Sequence, residues 1–130
     1  MIVRASGTFE AKWDKEPAFD TGEGASLYRA TVTKQFQGDL EGSSVAYLLQ
    51  ALADTPGSAG YVAIERVVGT LRGRNGTFVI QHNGIMGDGD PQLTVTIVPN
   101  TGTGELKGIR GTLEFDTGHT YHLDYTLGES

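Results

Sequence analysis

The stretch VAYLLQALA, Val45 to Ala53, decides the fold class, because it reads as helix or strand according to how much its neighbours count. Its alanine and leucine content favours a helix on local propensity. Its surroundings favour a strand. Short β-branched and aromatic runs lie on either side, Ser26–Phe36 before it and Gly60–Leu71 after it, with too few linking residues for an ordinary crossover connection. The stretch therefore belongs to a strand, Ser43–Leu52. Five further runs of the same kind lie outward along the chain: Val3–Trp13, Thr77–Met86, Gln92–Val98, Thr112–Phe115 and Tyr121–Leu127. Eight strands separated by turn formers predict an all-β sandwich or barrel. The 19 glycines among 130 residues stand singly between these runs, as turn punctuation rather than as a linker or repeat.

Two hairpins follow from pattern. Asn75-Gly76 is the strongest two-residue turn signal, since a type I′ turn needs positive φ at both central positions. A turn there pairs Arg72 with Val79, Leu71 with Ile80 and Gly69 with His82. It sets Glu65, Val67, Gly69 and Leu71 on one face with Phe78, Ile80, His82 and Met86. Near the end of the chain, a three-residue loop Thr117-Gly118-His119, with the glycine left-handed, pairs Phe115 with Tyr121 and Leu113 with Leu123. Glu114, His122 and Asp124 then share the polar face.

Between the sixth and seventh of these strands, VPNTGTGELKGIRGTLEF (Val98–Phe115) has the glycine content of a phosphate-cradling loop. Such a cradle opens a helix, and in the P-loop its lysine is followed by Ser or Thr. Here Lys107 is followed by Gly108 and then by the strand-like TLEF. The segment reads as a connection from strand to strand, with one helical turn at Glu105 to Gly108.

Three ordered blocks, GDLEGSS, ERVVGTLRGRNGTFVIQHNG and TGTGELKGIRGTLEF, followed by YHLDYTL, resemble the pattern of an uncharacterised bacterial family, domain of unknown function 3224. Asn100 and Thr101 stand where that pattern has a Gly-Ser pair. The resemblance covers nearly the whole chain. It implies a fold similar to allene oxide cyclase, a single eight-stranded antiparallel β-barrel with a lumen, spanning residues 1–130 as one domain. It carries no catalytic residues, because no motif of the cyclase aligns here, and a barrel hosts many functions.

Composition removes several function classes. Ten Lys and Arg against 16 Asp and Glu give a net charge of −6, which repels phosphate backbones, and the basic residues form isolated pairs rather than a stripe. No nucleic-acid partner is expected. With no cysteine there is no disulfide, thiolate nucleophile or thiolate metal site. The start, MIVRASGTFEAKWD, has no apolar h-region, and no apolar run reaches the roughly 18–20 residues needed to span a bilayer. A cytoplasmic protein with no membrane partner is the expectation. No cofactor and no metal is expected either: His119 and His122 point to opposite faces of a strand, and Asp88-Gly89-Asp90 lacks the other ligands of a calcium loop.

The candidate chemistry is Glu65 and His82, placed by the hairpin on one otherwise apolar face, where burial tunes carboxyl and imidazole groups. If that face lines the lumen, they form a catalytic acid/base pair. The register keeps them on the order of 13 Å apart, flanking one ligand rather than touching. Aromatic residues on several strands offer a core or a pocket wall. Trp13, Tyr47, Phe78, Tyr121 and Tyr125 are the expected ligand-binding residues, with Phe36 and Tyr61 in the same class. The leading expectation is a barrel that binds a small, largely apolar molecule in its lumen. A cyclase or isomerase using Glu65 and His82 is the alternative, and a filled structural module the third. Apolar residues on both faces of Gly60–Leu71, such as Val62, Ile64 and Val68 opposite Ala63 and Val67, predict a homo-oligomer.

Overall fold

A computed structural model describes residues 1–128. The strands in chain order are β1 (Val3–Lys15), a two-residue β2 (Asp20–Thr21), β3 (Ala25–Gly38), β4 (Leu40–Ala53), β5 (Ala59–Leu71), β6 (Arg74–Gly87), β7 (Asp90–Ile97), β8 (Ile109–Phe115) and β9 (Thr120–Leu127). Sequence neighbours from β3 to β9 are neighbours in the sheet. β1 pairs with β9 on one edge and with β3 on the other, so eight antiparallel strands close into an all-β barrel. Closure removes the free edges that an open sheet would expose. β2 adds a short ninth pairing to β3, beyond the stretch that β1 covers.

Val45–Ala53 lies inside β4 and is strand throughout. Ala46 and Leu48 turn inward and are buried, whereas Tyr47 and Leu49 point out. The period-two burial of this segment prevails over its helix propensity because neighbours pair along both of its edges.

The β5–β6 hairpin corrects the expected turn. Asn75 and Gly76 are strand residues, and the turn is Arg72-Gly73, with φ of 47° and 83°. These are the positive values a type I′ turn needs. Arg72 accepts them while its guanidinium donates to the Arg4 carbonyl (2.8 Å) and to Asp39 (3.2 Å). Gly76 has a different task. A Cβ there would collide with the Thr103 carbonyl oxygen and crowd Leu106, so the glycine lets the 98–108 connection cross β6 closely. Val67 now faces Phe78, Glu65 faces Ile80 and Ala63 faces His82.

In the last hairpin the expected register holds, with Phe115 opposite Tyr121 and Leu113 opposite Leu123. The left-handed residue is His119 (φ 61°) rather than Gly118. A three-residue loop places its left-handed position third, after a type I turn, and His119 occupies it.

The 98–108 connection does bridge strand to strand, through a single 3-10 turn at Gly104–Leu106. Thr77 N–H donates to Thr103 Oγ1 and Val79 N–H to Thr101 Oγ1, which completes the edge of β6 where no strand lies beside it. Leu106, fully buried, plugs that end of the barrel. This half is filled by large side chains, among them Phe36, Phe78, Tyr121, Leu123 and Tyr125. Towards the opposite end the inward residues shrink to Ala30, Val32, Ala46, Leu48 and Ala63, with Ala11 beside them. β7 and β8 share a single ladder pair, Thr96 with Thr112.

Candidate functional site

Where large inward side chains give way to small ones, five polar residues meet. Inward parity sets Lys34 on β3, Ser44 on β4, Tyr61 and Glu65 on β5, and His82 on β6. Lys34 lies directly opposite Ser44, while Glu65 is two residues diagonal, on the same face, to both Ser44 and His82. Long side chains reach across such diagonals. Glu65 Oε1 accepts from Lys34 Nζ (3.0 Å) and from His82 Nε2–H (2.7 Å), and Oε2 accepts from the Ser44 hydroxyl. With the imidazole proton on Nε2, Nδ1 accepts from the Tyr61 hydroxyl at 3.2 Å. The Phe115 ring stacks on His82 with centroids 5.8 Å apart, and Lys34 Nζ sits 4.1 Å from the centroid of that same ring.

Glu65 is 0% exposed. Burial alone would raise its pKa, but the His82 hydrogen bond, the Lys34 charge and the Ser44 hydrogen bond together outweigh it and hold the carboxyl below its ordinary 4.5. The same carboxylate acts on Tyr61: burial, and then the Glu65 charge, push the phenol up to about 12. Among the described residues no buried side-chain polar atom lacks a partner, so the cluster is a connected network.

Above it lies a cavity of about 300 Å³, open at the wide end of the barrel. Lys34, His82 and Phe115 form its floor, Ala11, Ala46, Ala63, Val32 and Leu48 its walls, and Trp13, Leu93 and His119 its rim. Glu65 does not line it but lies beneath Lys34 and His82.

The candidate residues are thus partly brought together. Glu65 and His82 are both interior and in direct contact, not on the order of 13 Å apart, because the turn moved to Arg72-Gly73. Trp13 reaches the rim. Tyr47 does not face the lumen: it points outward from β4 and is 62% exposed. Phe78, Tyr121 and Tyr125 lie in the filled half, where Tyr121 Oη accepts from Leu40 N–H (2.9 Å) and lies 3.1 Å from the carbonyls of Gln37 and Leu40. Lys34 and Ser44 were missed. Lys34 had a signal, since it takes the inward parity of Val32 and Phe36, a charged residue at a core position. His119 stacks on Phe9 at the cavity mouth, and His122 contacts Ser6, so the two histidines do diverge.

A closed antiparallel barrel, plugged at one end and hollow at the other over a buried ionic cluster, defines the class of protein. Residues 5–128 match the family described as "Protein of unknown function (DUF3224)", and the chain belongs to that family. It is also similar to a solved structure, a protein of unknown function from the DUF3224 family of Shewanella oneidensis MR-1, with 42% identity, a TM-score of 0.92 and full coverage of both chains. No curated protein matches. No helix among the described residues is long and apolar enough to cross a membrane.

Proposed function

We propose that this protein binds a small, largely apolar molecule in the open half of its barrel. The observation that carries the reading is the cavity of about 300 Å³ with an alanine-rich wall and a polar floor formed by Lys34 and His82. Its volume is at the lower end of ligand pockets, and a few convergent polar groups in an apolar hollow are what orient a small ligand. The likeness to allene oxide cyclase barrels remains part of this proposal, supported by a closed barrel with one open end. Binding is favoured over turnover by one feature: both oxygens of Glu65 are occupied by three donors beneath the floor, which suits a positioning group better than one that moves a substrate proton. A cytoplasmic setting is part of the same proposal, since a reducing compartment costs a chain without cysteine nothing.

Thermal melting tests the reading. Saturating butylbenzene or benzylacetone should raise the midpoint, since a native-state ligand at 100 times its Kd adds about 2.7 kcal/mol. Ala63→Phe, which fills the hollow, should abolish the rise. No shift with either compound, or an equal shift in Ala63→Phe, overturns it.

The outer face supports a second element, self-association. Tyr47, Leu49, Val62, Ile64 and Ile85 form an exposed apolar strip over β4, β5 and β6. Of residues 43–52, 59–68 and 77–86, only Arg66 carries a charge outward. For a chain of net charge −6, this is a face on which a second copy can approach with little charge repulsion.

A further inference from the structure

Resting on the lumen-binding reading, we propose that the ligand is a neutral molecule whose polar end is a carbonyl-type hydrogen-bond acceptor seated on the Lys34 ammonium. The polar side chains lining the hollow are Lys34, Gln50, Tyr61, His82 and His119, and of these Lys34 alone is an ammonium. Lys34 and Glu65 cancel each other, and they are stacked in order: Lys34 faces the cavity, while Glu65 lies beneath it, fully buried. The hollow therefore meets the positive end of a buried dipole whose net charge is already closed.

An ammonium offers three N–H donors and no acceptor. One donates to Glu65 Oε1, and the remaining surroundings of Nζ include the Phe115 and Phe9 rings, at 4.1 and 5.7 Å. His82 presents no acceptor, because Nε2 is engaged with Glu65 and Nδ1 with Tyr61. An amine would meet a like charge. A carboxylate would bring a further anion to a lysine that Glu65 already neutralises, and its desolvation would have no counter-ion to offset it. A carbonyl oxygen accepts from Nζ without adding charge, and in low dielectric that hydrogen bond is strong.

Volume narrows the class. At roughly 30 Å³ for each water-sized group, the hollow takes on the order of ten non-hydrogen atoms. A compact ketone, enone or ester with an aryl or short alkyl body fits, its apolar part against Ala11, Ala46 and Ala63.

The experiment uses the whole chain and four matched probes: benzylacetone, hydrocinnamate, phenylpropylamine and butylbenzene. Calorimetry should rank the ketone at least tenfold tighter than the other three. Infrared spectroscopy of isotope-labelled benzylacetone should show its C=O stretch at lower wavenumber when bound than in hydrocarbon solvent. In Lys34→Met/Glu65→Gln, which removes both charges together, the stretch should return to the hydrocarbon value. An acid, amine or hydrocarbon that binds as tightly as the ketone overturns the carbonyl assignment, as does a stretch unchanged in the double variant. The ranking needs no variant, so a misfolded variant leaves it decisive. If none of the four binds, the lumen-binding reading itself falls.

Discussion

Lys34→Met should be the most damaging single change at the polar floor. It removes the cation that faces Glu65 Oε1 at 3.0 Å and leaves a carboxylate with 0% exposure held only by His82 and Ser44. Breaking a buried ion pair by deleting one partner costs about 3–5 kcal/mol, because the other charge stays desolvated. For a domain of this size that corresponds to a fall in Tm of roughly 10–20 °C. Lys34→Met/Glu65→Gln should recover most of the loss, since it leaves a neutral amide. The sign of the pH dependence follows from the lowered pKa of Glu65: its contribution in the wild type is present above its ordinary 4.5 and is lost as pH falls through the lower folded value. The gap between wild type and Lys34→Met should be full at neutral pH and shrink in acid, because Glu65 in the variant, without Lys34 to oppose the effect of burial, takes a proton at higher pH than in the wild type. Urea denaturation of the three proteins at neutral pH and near the ordinary carboxyl pKa measures this. A Lys34→Met loss under about 1 kcal/mol at neutral pH, or a double variant no more stable than the single one, would refute the reasoning.

Other outcomes follow from the packing. Gly76→Ala should cost about 1–3 kcal/mol in denaturant unfolding, because its Cβ would displace the Thr103 carbonyl and Leu106, and an unchanged midpoint would show that the connection does not rest on β6. Tyr121→Phe should cost about 1–3 kcal/mol, since Leu40 N–H loses its acceptor in the filled half, and a neutral result would contradict the assigned bond. In an ultraviolet titration, the difference between wild type and Tyr61→Phe should be flat near the ordinary 10.0 and appear towards about 12, and an early rise would show the phenol to be unperturbed. Val62→Glu/Ile64→Glu should give a monomer in light scattering where the wild type is larger, and a monomeric wild type at micromolar concentration would remove the self-association proposal.

How much of this was legible in the sequence differs from element to element. Runs between turn formers identified the strands, short connections assigned the helix-prone Val45–Ala53 to one of them, and the hairpin put Glu65 and His82 on one face, a placement that held because the register error was an even number of residues. The register itself was not legible. Gly76 looks like a turn glycine but is needed for backbone approach to Thr103, while the real turn uses Arg72, whose left-handed backbone goes with guanidinium contacts to Arg4 and Asp39 from distant strands. The division into filled and hollow halves was also hidden. It depends on which inward residues share a level, so Phe78 and Tyr121 became core while Ala11, Ala46 and Ala63, unremarkable in sequence, came to line the cavity. Lys34 at an inward position among Val32 and Phe36 was the clue that could have completed the cluster.

The hollow half is tested most directly by an NMR titration of protein labelled at its alanine methyl groups, with benzylacetone as ligand. Ala11, Ala46 and Ala63 line the cavity, Ala5 is buried in the filled half, and Ala51 lies in a shallow outer groove. Saturable shifts of the first three with a common Kd, while Ala5 and Ala51 stay fixed, are the expected result. Movement of Ala51 alone, or no movement of the three wall methyls, would contradict a ligand site in the lumen.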